Sequence, residues 1–155
     1  MTESAYRHYQ IGRFCFVLSP VLVVAAGIAW FLERDLTIVF ALLLAELIIV
    51  LVLCGMKIEI SGGFLAWRMG VGLVRKRVPV SEILSAEPVR NPWYYGWGIH
   101  HTFSGWLYNV SGFGGVEVTM NDGKRFRLGT DEPEELARAI RKTRSSPAAP
   151  PRAAR

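Results

Sequence analysis

The stretch FCFVLSPVLVVAAGIAWFLERDLTIVFALLLAELIIVLVLCGM, residues 14–56, decides how this chain is organised. Only Glu33-Arg34-Asp35 interrupts the apolar run, leaving segments 14–32 and 36–56 of roughly 20 residues each, enough to cross ~30 Å of hydrocarbon as an α-helix. Soluble domains rarely hold two such stretches joined by so short a charged turn, so the segment reads as a transmembrane hairpin. Pro20 removes a backbone donor and frees the carbonyl of Phe16, which predicts a kink in the first helix. Trp30 and Phe31 stand where that helix would leave the bilayer, as an aromatic belt requires. A cleaved signal peptide fits poorly. The apolar stretch is too long for an h-region, and Ala29-Trp30-Phe31 offers no small-x-small cleavage site.

Composition divides at the same place. The chain has 155 residues and is 51% apolar, but that figure blends a hydrocarbon-like beginning with an ordinary mixed sequence after it. The net charge of +5 lies almost wholly outside the apolar segments. Beside a membrane such a balance points to orientation and anionic lipid rather than to nucleic acid. The turn carries one basic residue, Arg34. The flanks carry Arg7 and Arg13 on one side, and Lys57, Arg68, Arg75, Lys76 and Arg77 on the other. The positive-inside rule therefore places both termini in the cytoplasm. Cys15 and Cys54 fall at nearly equal depth near the cytoplasmic helix ends. In a reducing compartment they read as buried free thiols.

Four regions follow: a polar lead, 1–13, with a short interfacial helix start; the hairpin, 14–56; a water-facing domain, 57–144; and a Pro/Ala-rich tail, 145–155, expected to be disordered. From Lys57 the apolar period shortens to two. Breaks at Ser61-Gly62-Gly63 and Gly70-Val71-Gly72 separate short strands, and Ser81–Glu87 reads as another strand ended by Pro88. Residues 97–103 and 106–110 extend the series. Asn121-Asp122-Gly123 marks the clearest hairpin turn. Thr130 or Asp131 caps a final helix with Pro133 in its first turn, acids at its start and Arg138, Arg141, Lys142 and Arg144 toward its end. Seven or eight antiparallel strands followed by one helix make an α+β domain, a barrel or two-sheet sandwich capped by the helix.

That order resembles small bacterial membrane proteins with a bacterial pleckstrin-homology-like domain. The likeness rests on Asn91-Pro92-Trp93-Tyr94-Tyr95-Gly96-Trp97-Gly98-Ile99, on residues 105–113 (GWLYNVSGF) and on residues 126–133 (FRLGTDEP). The resemblance implies a barrel or sandwich of about seven strands and a place in the bacterial plasma membrane. It implies no activity, because a fold that hosts many binding functions cannot assign one.

Glu46 stands alone in the second apolar segment, at a cost of roughly 2.5–3.5 kcal/mol on insertion scales. Ser19 lies within about one helical turn of its depth. A neutral carboxyl bonded to a hairpin or homo-oligomer partner and a proton or ion path both fit. Trp93, Tyr94, Tyr95 and Trp97 crowd one loop and suit a protein contact or the membrane interface. Trp106 and Tyr108 share a strand face, as core or groove wall. Arg75-Lys76-Arg77, with Lys124, Arg125 and Arg127, could grip phospholipid head groups or simply protect solvated strand edges.

His100 and His101 point to opposite faces of a strand and cannot easily chelate one metal. Residues 111–115 (SGFGG) follow no βα turn and are too irregular for a phosphate loop. The sequon Asn109-Val110-Ser111 lies on the cytoplasmic side and reads as chance. No hydrolytic constellation is legible. The expectation is a non-enzymatic membrane-anchored binding or scaffolding module with no cofactor, recognising a protein segment or anionic lipid. An accessory subunit docking through the hairpin is the first alternative, and an enzyme with an unrecognised site the second.

Overall fold

The computed structural model describes residues 5–145. The expected disordered tail, past its first residue, lies outside them. Strand β1, Tyr6–Ile11, comes first; helix α1, Arg13–Glu33, and helix α2, Leu36–Leu53, follow. The charged turn has a local reason. Arg34 adopts a left-handed conformation (φ 51°) that ends α1, its N–H donating to the Trp30 carbonyl at 3.2 Å. Asp35 then caps α2 by accepting the Thr37 N–H at 2.7 Å. That bond holds its carboxyl below the usual range. Pro20 sits inside α1 without ending it.

Both helices are long and apolar enough to cross a membrane over Cys15–Leu32 and Leu36–Leu53. They pack on each other with Cys15 and Ala26 buried, but no residue of α2 is more than partly buried. A soluble core helix is mostly buried, whereas these two are mostly exposed, the pattern of helices that cross a membrane. Cys15, buried, and Cys54, half-buried, are free thiols near the helix bases.

The polar lead corrects to a strand. Tyr6–Ile11 pairs antiparallel with β2, Gly55–Ser61, in the register Tyr6↔Ile60 to Ile11↔Gly55. The water-facing domain therefore begins before the hairpin, and the hairpin is an insertion between two neighbouring strands. Alternation explains the strand. Tyr6, His8 and Gln10 face inward, where Gln10 Nε2 donates to the Gly129 carbonyl at 2.6 Å. His8 Nε2 meets Asp131 Oδ1 at 2.6 Å, and the Tyr6 hydroxyl donates to Glu132 Oε2 at 3.2 Å. Burial and the neighbouring Glu132 push the Tyr6 phenol well above its usual range. Replacing buried Gln10 by Ala should cost about 1–2 kcal/mol by stranding that carbonyl, read as a lower midpoint in thermal melts of the micelle-solubilised chain.

The four-stranded sheet runs β1-β2-β3-β4, with β3 at Phe64–Met69 and β4 at Val74–Pro79. The second sheet contains β5, Ile83–Arg90; β6, Gly98–Thr102; β7, Gly105–Asn109; β8, Gly114–Met120; and β9, Arg125–Gly129. Its order is β5-β8-β9-β7-β6, and β7 lies parallel to β9. No closed barrel forms: two sheets face each other, and the described residues hold nine strands rather than about seven, one pair of them parallel. The predicted strand over Ser81–Glu87 shifts. Val80–Glu82 is a short 3-10 turn, and β5 continues through Pro88. As an edge strand β5 can turn the missing proline donor away from β8.

The core joins both sheets. Trp67 of β3 stacks on Phe126 of β9 (centroids 5.0 Å, planes 20° apart) and meets Tyr108 of β7 edge-on at 5.3 Å. Helix α3, Pro133–Ser145, closes one side with Leu136, Ala137 and Ile140. The Thr130 hydroxyl takes the Glu132 N–H at 3.1 Å ahead of it. At its other end Arg144 donates to the Leu84 carbonyl and Arg141 to that of Ala86 at 3.4 Å. The outer edge of β5 is thereby covered.

Candidate functional site

Strands β5 and β6 are consecutive in sequence yet sit at opposite edges of the five-stranded sheet. Residues 91–97 must therefore cross the sheet, and this crossing builds the candidate site. Asn91, 3% exposed, anchors its start, its N–H donating to the Phe113 carbonyl at 2.6 Å. Asn109 anchors its end, Nδ2 donating to the carbonyls of Gly96 and Gly112, each at 3.2 Å. Gly129 must lack a side chain here, because a Cβ would stand 2.2 Å from Asn109 Oδ1.

Arg127 lies beneath the crossing. Its Nε and one terminal nitrogen both reach Glu117 Oε2 at 2.8 Å. That same terminal nitrogen, Nη2, also donates to Ser104 Oγ at 3.0 Å, and Nη1 donates to Asn91 Oδ1 at 3.3 Å. The Tyr95 ring covers the guanidinium at 5.7 Å. The sequence grouped Arg127 with Lys124 and Arg125 as a basic cluster. The structure separates them: Arg127 is a largely buried brace, whereas Lys124 and Arg125 are exposed. Lys124 pairs with Asp122 in the hairpin turn, lowering that carboxyl and raising the ammonium.

The aromatic residues separate in the same way. A short helical turn, Trp93–Tyr95, turns Tyr95 toward Arg127 and leaves Trp93 78% and Tyr94 66% exposed. Trp97 packs near Phe113 at 6.2 Å. Phe103, at the tip between β6 and β7, is fully exposed, a residue sequence reasoning passed over. Tyr108 is core as expected, but Trp106 on the same strand face is half exposed against His101. Tyr94, Tyr95, His100, His101, Thr102 and Phe103 line a groove of about 640 Å³ beside β6, whose outer edge has no strand partner among the described residues. His100 Nε2 is enclosed there without a hydrogen-bond partner among the described residues. Loop length could have suggested the crossing only if the strand order had been known.

The remaining candidates lie elsewhere. Arg75 and Arg77 project from the outer face of β4, with Arg77 3.5 Å above the Phe64 ring, while Lys76 falls on the opposite face, paired in register with Trp67. Glu46 is half buried on α2. Its Oε2 is enclosed with no hydrogen-bond partner among the described residues, and no bond joins it to Ser19. No cluster of three metal-ligating side chains occurs among the described residues. No protein-family profile matches this chain, and no curated protein is significantly similar to it.

Proposed function

We propose that this protein is a membrane-anchored, non-enzymatic binding module that captures an extended protein segment along the free edge of β6. The observation that carries the reading is the groove between that edge and the crossing segment, lined by Tyr94, Tyr95 and Phe103. A sheet edge offers unpaired backbone groups to an added strand, and flanking aromatic residues select its side chains. Contiguous exposed aromatic surface on a soluble domain marks such contacts. The hairpin would hold the domain at the inner face of a bacterial plasma membrane, with both termini cytoplasmic by the distribution of Lys and Arg. A strand-rich body with one terminal amphipathic helix supports the pleckstrin-homology-like reading, with the hairpin as an insertion after the first strand.

A second reading has its own support. The unpartnered Glu46 Oε2 and the exposed helix surfaces favour docking in the membrane, as an accessory subunit of a larger complex or as a homo-oligomer. Gentle purification of the full chain from its native membrane separates the two. Under the first reading, Tyr94→Ser/Phe103→Ser should lose a stoichiometric protein partner while Glu46→Gln retains it. A partner lost only from the Glu46 variant would transfer the function to the hairpin.

A further inference from the structure

We propose that the outer face of the four-stranded sheet, where it meets the helix bases, holds the headgroup of an anionic phospholipid. The inference rests on the hairpin lying in a bilayer but not on the aromatic groove, which is built from the other sheet.

Register puts two rows of side chains on this face. One is Arg7, Glu59, Ala66 and Arg77; the other is Tyr9, Lys57, Arg68 and Arg75. Five cations thus surround one carboxylate. Glu59 is held below the usual carboxylate range, mainly by its hydrogen bond from Lys57, with Arg7 and Arg68 adding to it. Among the described residues no carboxylate lies within ion-pair distance of Arg7, Arg68, Arg75 or Arg77. The second row is the one nearest the helices. The Tyr9 hydroxyl lies over Gly55, where an added Cβ would stand 2.3 Å from it.

The turn joining β3 to β4 is clamped to the end of α2. Val71 N–H donates to the Leu51 carbonyl at 3.0 Å and Gly70 N–H to that of Gly55 at 2.7 Å. Gly70 has φ +56°, and a Cβ there would be 1.8 Å from the Leu51 oxygen, so only glycine permits the approach. Tyr9, Lys57, Arg68 and residues 70–72 line an open cleft of about 200 Å³. Arg75 is fixed beside it through its Nε bond to the Gly72 carbonyl at 2.6 Å. Val71 and Leu73, 63% and 65% exposed, project from the same turn beside the last turn of a helix long and apolar enough to cross a membrane. Aliphatic side chains at that level enter the hydrocarbon boundary, and cations just above it meet the phosphate layer.

The test uses the full chain in uncharged detergent micelles, titrated separately with dioctanoyl phosphatidylglycerol, dioctanoyl phosphatidylcholine and inorganic phosphate. Thermal unfolding is the readout, because a ligand of the native state raises the midpoint. Phosphatidylglycerol should raise it and the other two should not. Arg68→Gln/Arg75→Gln should weaken the half-saturating concentration about thirtyfold, and Glu59→Gln should strengthen it about fivefold. Lys124→Gln/Arg125→Gln, on the other sheet, should match the unaltered protein. If the double variant does not fold, Arg68→Gln alone should show a loss of about fivefold. Equal shifts from both lipids, an equal shift from phosphate, or an unchanged response in the Arg68 variant would each overturn the site. Carbonate extraction separates the premise. Release of the chain from membranes removes the hairpin reading and this site with it, whereas a retained chain without phosphatidylglycerol preference overturns the site alone.

Discussion

Trp67→Ala is expected to destabilise the folded domain by about 3–5 kcal/mol. The indole is 3% exposed and fills the space between the two sheets, stacked on Phe126 and edge-on to Tyr108. Its removal takes away the transfer free energy of a large ring, leaves a cavity that flanking strands cannot collapse into, and abolishes two ring contacts worth about 0.5–1.5 kcal/mol each beyond burial. Trp67→Phe should recover most of the loss by keeping a stacked ring. The readout is thermal or denaturant unfolding of the micelle-solubilised chain, followed in the near-ultraviolet circular dichroism of the aromatic stack. A shift in midpoint below a degree or two would mean that the sheets do not share one core.

The second large effect concerns charge. Arg127→Ala should cost about 3–5 kcal/mol, because it leaves Glu117 partly buried without its partner. It also strands Asn91 Oδ1 and Ser104 Oγ and removes the support beneath Tyr95. Arg127→Met/Glu117→Gln should be markedly milder than the single change, since the double variant buries no orphaned charge. Local proteolysis around residues 91–97 should rise in Arg127→Ala before the rest of the domain becomes susceptible. Equal costs for Arg125→Ala and Arg127→Ala would contradict the difference in burial between the two neighbours.

That contrast shows what the sequence could and could not say. The alternation of Arg125, Phe126 and Arg127 is plain, and Phe126 is readily placed inward. Arg127 then belongs on the opposite face, which reads as solvent until the strand order is known. Residues 91–97 cover that face only because β5 and β6 lie at opposite edges. The apolar helical hairpin, the Asn-Asp-Gly turn and the final helix are legible because each is specified by a contiguous run or by residues one turn apart. Strand β1 is not, because six mostly polar residues carry little signal by themselves and the strand that completes them lies beyond the hairpin. The open two-sheet form and the parallel β7–β9 pair likewise depend on long-range pairing. Among the candidate residues, density of aromatics marked the right segment but not the division of labour within it: Tyr95 braces, whereas Trp93 and Tyr94 are presented.

The placement of the hairpin between two paired strands also dictates an order of assembly. Tyr6–Ile11 leaves the ribosome before either helix, and Gly55–Ser61 only after both. At about 5–20 residues per second the first strand waits several seconds with its hydrogen-bonding groups unpaired. Gly129, Asp131 and Glu132, which grip its inward side chains, arrive later still. A nascent chain whose helical hairpin fails to form and return cannot bring its first two strands together. It would keep an open edge on β2, the kind of surface that quality-control proteases and chaperones recognise, so correct formation of the hairpin becomes a precondition for sealing the sheet.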